Sequence, residues 1–306
     1  MNGIEIIEKI KINPKILSIK LDNFIKKYLN ELNRDKIFIG VSGGLDSAVV
    51  LKLCVDAVGA NKVTAVMLPE KDSEKKHILD AENLIKLYKV QKQLVKIDPY
   101  LKIACAKFPI SVPKPVKGWA IRRLYSLYSK STGKNPFFEG IKGLKNTTPF
   151  SSYLRKTNSH YRLKHRVRMA IIYCMAERDN GLVVGAANKT EMEIGFFVKY
   201  GIDHSTDIMP LSNLYKTQVI QLAKYLKLPK NIIEKQPSPD IIPGLIDENT
   251  ISISYKKLDL ILYGLENKVK TKDIGKVAKI DEEIIDYVKN LKKESAHMRQ
   301  IYVPEN

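Results

Sequence analysis

Residues 37–49 read Ile-Phe-Ile-Gly-Val-Ser-Gly-Gly-Leu-Asp-Ser-Ala-Val. The apolar run Ile37–Val41 suits a buried parallel strand. It breaks at Ser42-Gly43-Gly44, and a helical pattern starts near Asp46 and runs to Val58, before Gly59. Adjacent glycines allow positive φ and a close approach of backbone to ligand. The helix start that follows offers unpaired N–H groups and the positive end of a dipole. Ser42 and Ser47 add hydroxyls, and Asp46 can help hold a cation. A strand, a Ser-Gly-Gly-x-Asp-Ser loop and a helix together make a pyrophosphate cradle. It is not of the Walker type, because no Gly-Lys-Ser/Thr closes it. A plain solvated glycine turn is the alternative; the serines and Asp46 argue against it.

Outward from this loop the pattern repeats. Pro14–Leu32 spaces its apolar residues as an amphipathic helix. Val63–Leu68 reads as a second strand, Ser73–Leu87 as a helix with Ser73 at its N-cap, and Gln93–Ile97 as a third strand. Alternating strands and helices predict an α/β fold with a parallel sheet flanked by helices, ligands lying at the carboxyl ends of its strands. From about 109 to 160 the pattern weakens, with prolines, glycines and the polar run Thr147–Ser152, and Trp119–Tyr128 as a short helix. So long an irregular stretch is expected to cover an active site or bind substrate. Order returns with a helix at Arg162–Arg178 and a buried strand at Gly181–Gly185. Helices are then expected at Thr190–Tyr200, Leu214–Leu226, Lys230–Glu234, Tyr255–Glu266 and Asp273–Lys292.

The 306 residues carry a formal charge of +19. Between Leu101 and Arg168 stand sixteen Lys or Arg residues and one acid, Glu139, interleaved with aromatics. That composition suits a polyanion with stackable bases, either a dinucleotide with ATP or an RNA; a solvated lysine-rich surface is the alternative. No run of about 18 apolar residues and no signal-peptide pattern is present, so a cytoplasmic enzyme without a membrane partner is expected. Cys54, Cys105 and Cys174 have no metal-ligand spacing and are expected as reduced core residues, although a three-cysteine cluster site stays open. His160 and His165 do not share a helix face, which speaks against zinc.

The loop resembles that of the ATP pyrophosphatases, which split ATP into AMP and pyrophosphate. A second segment, Gly185-Ala-Ala-Asn-Lys-Thr-Glu-Met-Glu-Ile-Gly-Phe-Phe-Val-Lys-Tyr-Gly201, closely resembles the signature of the NAD synthetase family. The similarity continues through Asp207–Leu211, Leu214–Val219, Pro237–Asp240 and Tyr255–Leu265 to Ser295–His297. The resemblance implies one domain over residues 1–306, with a Rossmann-like, adenine nucleotide alpha hydrolase-like fold. It also implies an enlarged basic insertion at about 109–160 and a helical C-terminal part. The family adenylates the carboxylate of deamido-NAD with ATP and Mg²⁺, and ammonia then displaces AMP.

Carried onto this chain, the resemblance assigns Ser42, Gly43, Gly44, Leu45, Asp46 and Ser47 to the ATP phosphates, together with Lys216 and Ser238. Asp46 and Glu191 are the metal-binding acids, and Asp46, Lys216 and Glu191 the catalytic group. Arg166, Lys199, Asp207 and His297 fall to the deamido-NAD side. A homodimer is implied. With no segment for an attached glutaminase, ammonia is expected free or from a separate partner. Three positions depart from the family pattern: the loop Gly201-Ile-Asp-His-Ser-Thr-Asp207 is bulkier than its glycine-rich equivalent, Ala186 replaces a threonine, and Met298 replaces a lysine. All three lie where the acceptor should sit or where the site closes. They leave open a relative that amidates another carboxylate, or a tRNA-modifying enzyme.

Overall fold

The computed structural model describes residues 3–107, 123, 126–130, 132–143, 149–202, 204–237 and 246–304. Among the described residues four strands form one wholly parallel sheet: β1 (Lys36–Gly40), β2 (Val63–Met67), β3 (Gln91–Leu94) and β4 (Gly181–Val184). Their spatial order is β3-β2-β1-β4, with Ile37 beside Val63 on one side and Leu182 on the other. The chain winds outward from β1 through α3 (Leu45–Val58) to β2, and through α4 (Lys75–Tyr88) to β3. It then returns to the far side of β1 as β4. That reversal creates a crevice between the carboxyl ends of β1 and β4, where such sheets bind ligands.

Side chains alternate across the sheet, as the two-residue period of a strand requires. Ile37, Ile39, Leu182 and Val184 join Ile25 and Leu29 of α2 (Pro14–Glu31), Leu51 of α3 and Leu222 in one core layer. Phe38, Val66 and Val183 face the other way, onto Ile97, Ile172 and Ala176. Because both faces are covered, the strands read as apolar runs rather than alternating ones. A third cluster joins Ile6 of the first helix, α1 (Gly3–Lys9), and Ile141 to Leu258, Ile274 and Val288 of the helical C-terminal part.

Several expectations need correction. Strand β3 lies two residues earlier than Gln93–Ile97. It is an edge strand that faces solvent through Gln91, Lys92 and Leu94, so apolarity does not mark it. Ser73 does not cap α4, which starts after Glu74; the Ser73 hydroxyl instead accepts from the Glu70 N–H at 3.1 Å. Asp98–Lys107, to which the sequence assigns no element, forms a helix (α5), and Pro136–Lys142 (α6) forms another inside what reads as irregular sequence. Residues 149–152 of the polar run Thr147–Ser152 belong to α7 (Pro149–Arg178), a thirty-residue helix with proline at its first position. The expected Arg162–Arg178 helix is therefore only its second half. Most of Trp119–Tyr128 lies outside the described residues.

The helix expected over Thr190–Tyr200 stops early, as α8 (Lys189–Ile194), because Gly195 takes φ 72° as its C-cap. Further along run α9 (Lys216–Tyr225), α10 (Lys230–Ile233), α11 (Asp247–Ile251) and α12 (Tyr255–Glu266). Asp273–Lys292 is two helices, α13 (Thr271–Ala278) and α14 (Glu282–Glu294), separated by Lys279 in the left-handed region. Of the cysteines only Cys54 belongs to the core; Cys105 is half-buried and Cys174 exposed. Among the described residues no helix is long and apolar enough to cross a membrane.

Candidate active site

At the end of β1 the Val41 N–H still bonds the Val66 carbonyl at 2.9 Å, and the chain then turns through Ser42–Gly44. Gly43 has φ 77°, and a Cβ there would stand 2.2 Å from the carbonyl oxygen of His77 on α4. Conformation and space both demand glycine. Gly44 is the N-cap of α3, and no side chain caps that helix. Its first N–H groups therefore point toward the crevice as anion donors. The two serines brace the loop: Ser47 Oγ accepts from the Ser42 N–H at 3.3 Å and donates to the Gly44 carbonyl at 3.2 Å. Ser42 Oγ accepts from the Gly44 N–H at 3.2 Å.

At the end of β4, Asn188 caps α8 in a reciprocal box. Its Oδ1 accepts from the Glu191 N–H at 3.1 Å, while Glu191 Oε2 accepts from the Asn188 N–H at 3.4 Å. The Asn188 amide donates to Asp46 Oδ1 at 3.1 Å. One residue thus fixes both acids predicted to bind metal, Asp46 through its side-chain amide and Glu191 through its backbone N–H. Glu191 combines its helix-capping bond with a place in the site, because its other oxygen lies 3.4 Å from Lys216 Nζ.

Lys216 is the buried centre of this group. Its ammonium donates to Asp46 and Glu191 and sits 5.3 Å over the Tyr255 ring. Its backbone N–H donates to Thr190 Oγ1 at 2.9 Å, and Thr190 donates to the buried Asp259 at 2.6 Å. Asp259 also accepts from the Thr217 N–H at 2.7 Å, which holds the start of α9 in place. Asp247, at the start of α11, accepts from the Tyr255 hydroxyl at 2.8 Å.

Two partly buried carboxylates, Asp46 and Glu191, thus share one ammonium, and the buried Asp247 adds its field to theirs. Burial pushes Glu191 up to about 8, with Asp46 and Asp247 adding to the rise and Lys216 opposing it. Burial likewise lifts Asp247 to about 6. Burial pulls Lys216 down, but the Asp46, Glu191 and Asp247 carboxylates outweigh it and the net shift is upward. A divalent cation would favour the ionised carboxylates and offset the burial that raises them. Among the described residues no group of three or more His, Cys, Asp or Glu could hold a metal alone. Two carboxylates are what Mg²⁺ uses when substrate phosphates supply the other ligands.

These groups line a pocket of about 250 Å³. Lys235 and Arg168 bring further cations, and Phe196 and Phe197 supply an aromatic wall. Lys235 Nζ donates to the Gly43 carbonyl at 2.9 Å and to the buried Asp80 at 2.7 Å, so it clamps the loop to α4. Arg168 Nε donates to the Leu68 carbonyl at 3.1 Å, and its neighbour Lys164 is fully buried on Glu70 at 2.6 Å. Arg162, also on α7, donates to the Gly140 carbonyl at 3.3 Å. Part of the basic stretch is therefore spent inside the protein rather than offered to a polyanion.

The residues expected on the acceptor side sit differently. Arg166 Nη2 donates to the Lys199 carbonyl at 3.3 Å, and Lys199 Nζ donates to the His297 and Gln300 carbonyls at 2.9 and 2.7 Å. Arg166, Lys199 and His297 are thus brought together in one chain of contacts that ties the C-terminal tail down, beside the pocket rather than lining it. Asp207 accepts from the Val183 N–H and the Tyr173 hydroxyl, both at 2.8 Å, and does not pair with Lys199. In the altered loop, His204 stacks on Phe197 at 4.7 Å between centroids. Ser238 lies outside the described residues.

Sequence reasoning missed Asn188, Lys235, Asp247, Tyr255 and Arg168. Only Asn188 had a local signal, the Asn-x-x-Glu spacing of a capping box. Tyr255 opens a stretch that resembles the family but has no role assigned from it, and Lys235, Asp247 and Arg168 come from segments with no motif, so that only the fold brings them in.

Comparison with known proteins agrees with this geometry. The family model described as NAD synthase matches residues 17–119 and 142–302. The NH(3)-dependent NAD(+) synthetase of Coprothermobacter proteolyticus is 40% identical over 280 residues, 90% of this chain and 93% of that protein. The enzyme of the same name from Thermotoga neapolitana is 42% identical over 258 residues, 83% of this chain and 85% of that protein. Among solved structures, the NMN synthetase from Francisella tularensis superimposes with a TM-score of 0.72 at 25% identity, covering 97% of this chain and all of that one.

Proposed function

This chain belongs to the NAD synthase family, and on that premise we propose that it makes NAD from deamido-NAD, ATP and ammonia, releasing AMP and pyrophosphate. A carboxylate is inert toward ammonia because oxide would have to leave. In the reading proposed, the acceptor carboxylate attacks the α-phosphorus and pyrophosphate departs. Ammonia then attacks the acyl carbon, AMP departs and one proton is lost.

The chain's own groups serve the first step. The N–H groups of the Ser42–Ser47 loop and of the start of α3, through Leu45, receive the phosphates. Lys216 presents a positive charge to the pyrophosphate as its charge grows, from a buried site where that charge acts through a low dielectric. Asp46 and Glu191 would hold Mg²⁺, which when bound neutralises phosphate oxygens and improves the leaving group. Asn188 keeps both acids oriented. Asp247 and Tyr255 close the far side of Lys216. Lys235 holds the loop at the height the phosphates need.

The same proposal includes Ser238 as an ATP-pocket hydroxyl, and Arg166, Lys199, Asp207 and His297 as groups that meet the acceptor when the tail and the loop at 201–207 adjust to it. It includes one domain over the whole chain, with residues 109–160 as an insertion, a homodimer, cytoplasmic residence, and ammonia taken free or from a separate glutaminase. The family match does not favour the tRNA-modifying alternative.

The observation that carries this reading is Lys216 buried between Asp46 and Glu191 beside a loop where only glycine fits. The test incubates the protein with ATP, Mg²⁺, ammonium and either deamido-NAD or nicotinic acid mononucleotide, and follows pyrophosphate and amide product. NAD should form from deamido-NAD. Product from the mononucleotide alone would overturn the acceptor, and no pyrophosphate with either would overturn the chemistry.

A further inference from the structure

The family match breaks between residues 119 and 142, and the described end of that break is anchored at the site. Asn135 caps α6, its Oδ1 accepting from the Phe137 and Phe138 N–H groups at 2.8 and 3.3 Å. Its amide reaches across to the Thr250 carbonyl at 3.0 Å and Ser252 Oγ at 2.9 Å, at the far end of the helix that begins with Asp247. Ile141 is buried in the C-terminal core, and Phe138 meets Tyr287 edge-on at 5.9 Å. Phe137 meets Phe196 edge-on, with centroids 5.2 Å apart and planes at 71°. Phe196 lines the pocket. Gly195 turns the chain out of α8 and so sets where the Phe196 backbone lies; the contact with the Phe137 ring sets where its ring lies.

ATP is common to the family's chemistry, while the F. tularensis neighbour's name gives NMN rather than NAD as product. A support built from a segment outside the family match therefore serves the acceptor better than it serves ATP. We propose that Phe137 is a positioning residue: it holds the Phe196 ring as the wall against which the acceptor's planar ring packs. An edge-to-face aromatic pair is worth a few-fold in affinity. This inference rests on the reaction proposed above.

The experiment is a double-mutant cycle in the full-length protein, with Phe137→Ala, Phe196→Ala and both, measuring KM for acceptor and for ATP and kcat. Phe137→Ala should raise the acceptor KM about three- to tenfold, with kcat and the ATP KM unchanged within about twofold. The effect should vanish in the Phe196→Ala background, and Phe137→Tyr should restore wild-type values. Equal change in both KM values, no change, or an undiminished effect without Phe196 would overturn the proposal. Should Phe137→Ala fail to fold, Phe137→Leu keeps the volume, removes the aromatic edge and is read the same way. Whichever acceptor the wild type turns over is used, so a wrong acceptor and a wrong role for Phe137 give different results.

Discussion

Gly43→Ala isolates the phosphate loop from the rest of the fold. The new Cβ would meet the His77 carbonyl at 2.2 Å, where contacts under 3.0 Å essentially never occur, so loop and helix must part by about 0.8 Å. The partner atom is backbone at the N-terminal end of α4 and cannot swing away like a side-chain tip. A positive φ of 77° adds about 1–2 kcal/mol for a residue with a Cβ. The displacement moves the N–H donors by nearly an ångström, and misplacement of that order costs about a hundredfold in rate. Gly59→Ala is the control. It has φ 85°, but its Cβ would touch only the tip of the Asn61 side chain at 3.0 Å, at the opposite end of α3. Both variants should lose a few degrees of melting temperature. Only Gly43→Ala should lose calorimetric ATP binding and about a hundredfold in pyrophosphate release. A Gly43→Ala protein that binds ATP as wild type does, or a Gly59→Ala protein equally inactive, would refute the reasoning.

Lys216→Met should cut pyrophosphate release by at least about a hundredfold and lower stability, since removing one partner strands buried carboxylates at a cost of about 3–5 kcal/mol before they take up protons; single-turnover kinetics and urea unfolding report the two effects. Glu191 stands near 8 in the fold against an ordinary 4.5. The folded state therefore holds the extra proton across that window. The stability this contributes is complete below about 4.5 and is lost as pH rises through about 8. Ligand-free melting temperature should fall between pH 6 and 8.5, and Glu191→Gln should flatten that slope; an unchanged slope would locate the titration elsewhere. Lys235→Met should raise the ATP KM about tenfold, while Asp80 keeps its 2.9 Å bond from Asn231; an unaltered KM in steady-state kinetics would remove the loop clamp. Light scattering should find roughly 70 kDa, twice the 34.8 kDa chain, and a mass of one chain would remove the dimer.

The centre of the fold was legible because its signals are local. Ile37–Val41, two glycines and the start of the helix after them fall within thirteen residues, and β2 is apolar but for Thr64. The edge strand β3 was misplaced because solvent on its faces removes the apolar signal. The break at Lys279 left no mark because a lysine, not a glycine, takes the left-handed turn, and the start of α7 hid behind a proline and serines that usually mean a loop. Asp46 was legible in the loop itself, but Glu191 and Lys216 were found through resemblance, since they lie 145 and 170 residues from it in pairs that no local pattern links. Lys235 and Asp247 carry neither motif nor periodicity. Their place is decided by tertiary packing alone.

Strand β1 hydrogen-bonds to β4, which the ribosome delivers some 140 residues later. Until then a nascent chain can build only the β1–β2–β3 half, leaving the Ile37–Ile39 backbone as an open, sticky border. A fragment ending before Gly181 would therefore be prone to self-association and blind to ATP, however intact its glycines. Such distant pairing also makes for slow folding. Shielding of that bare margin during synthesis, by a chaperone or by the growing α7 rod, becomes part of what the cell must supply.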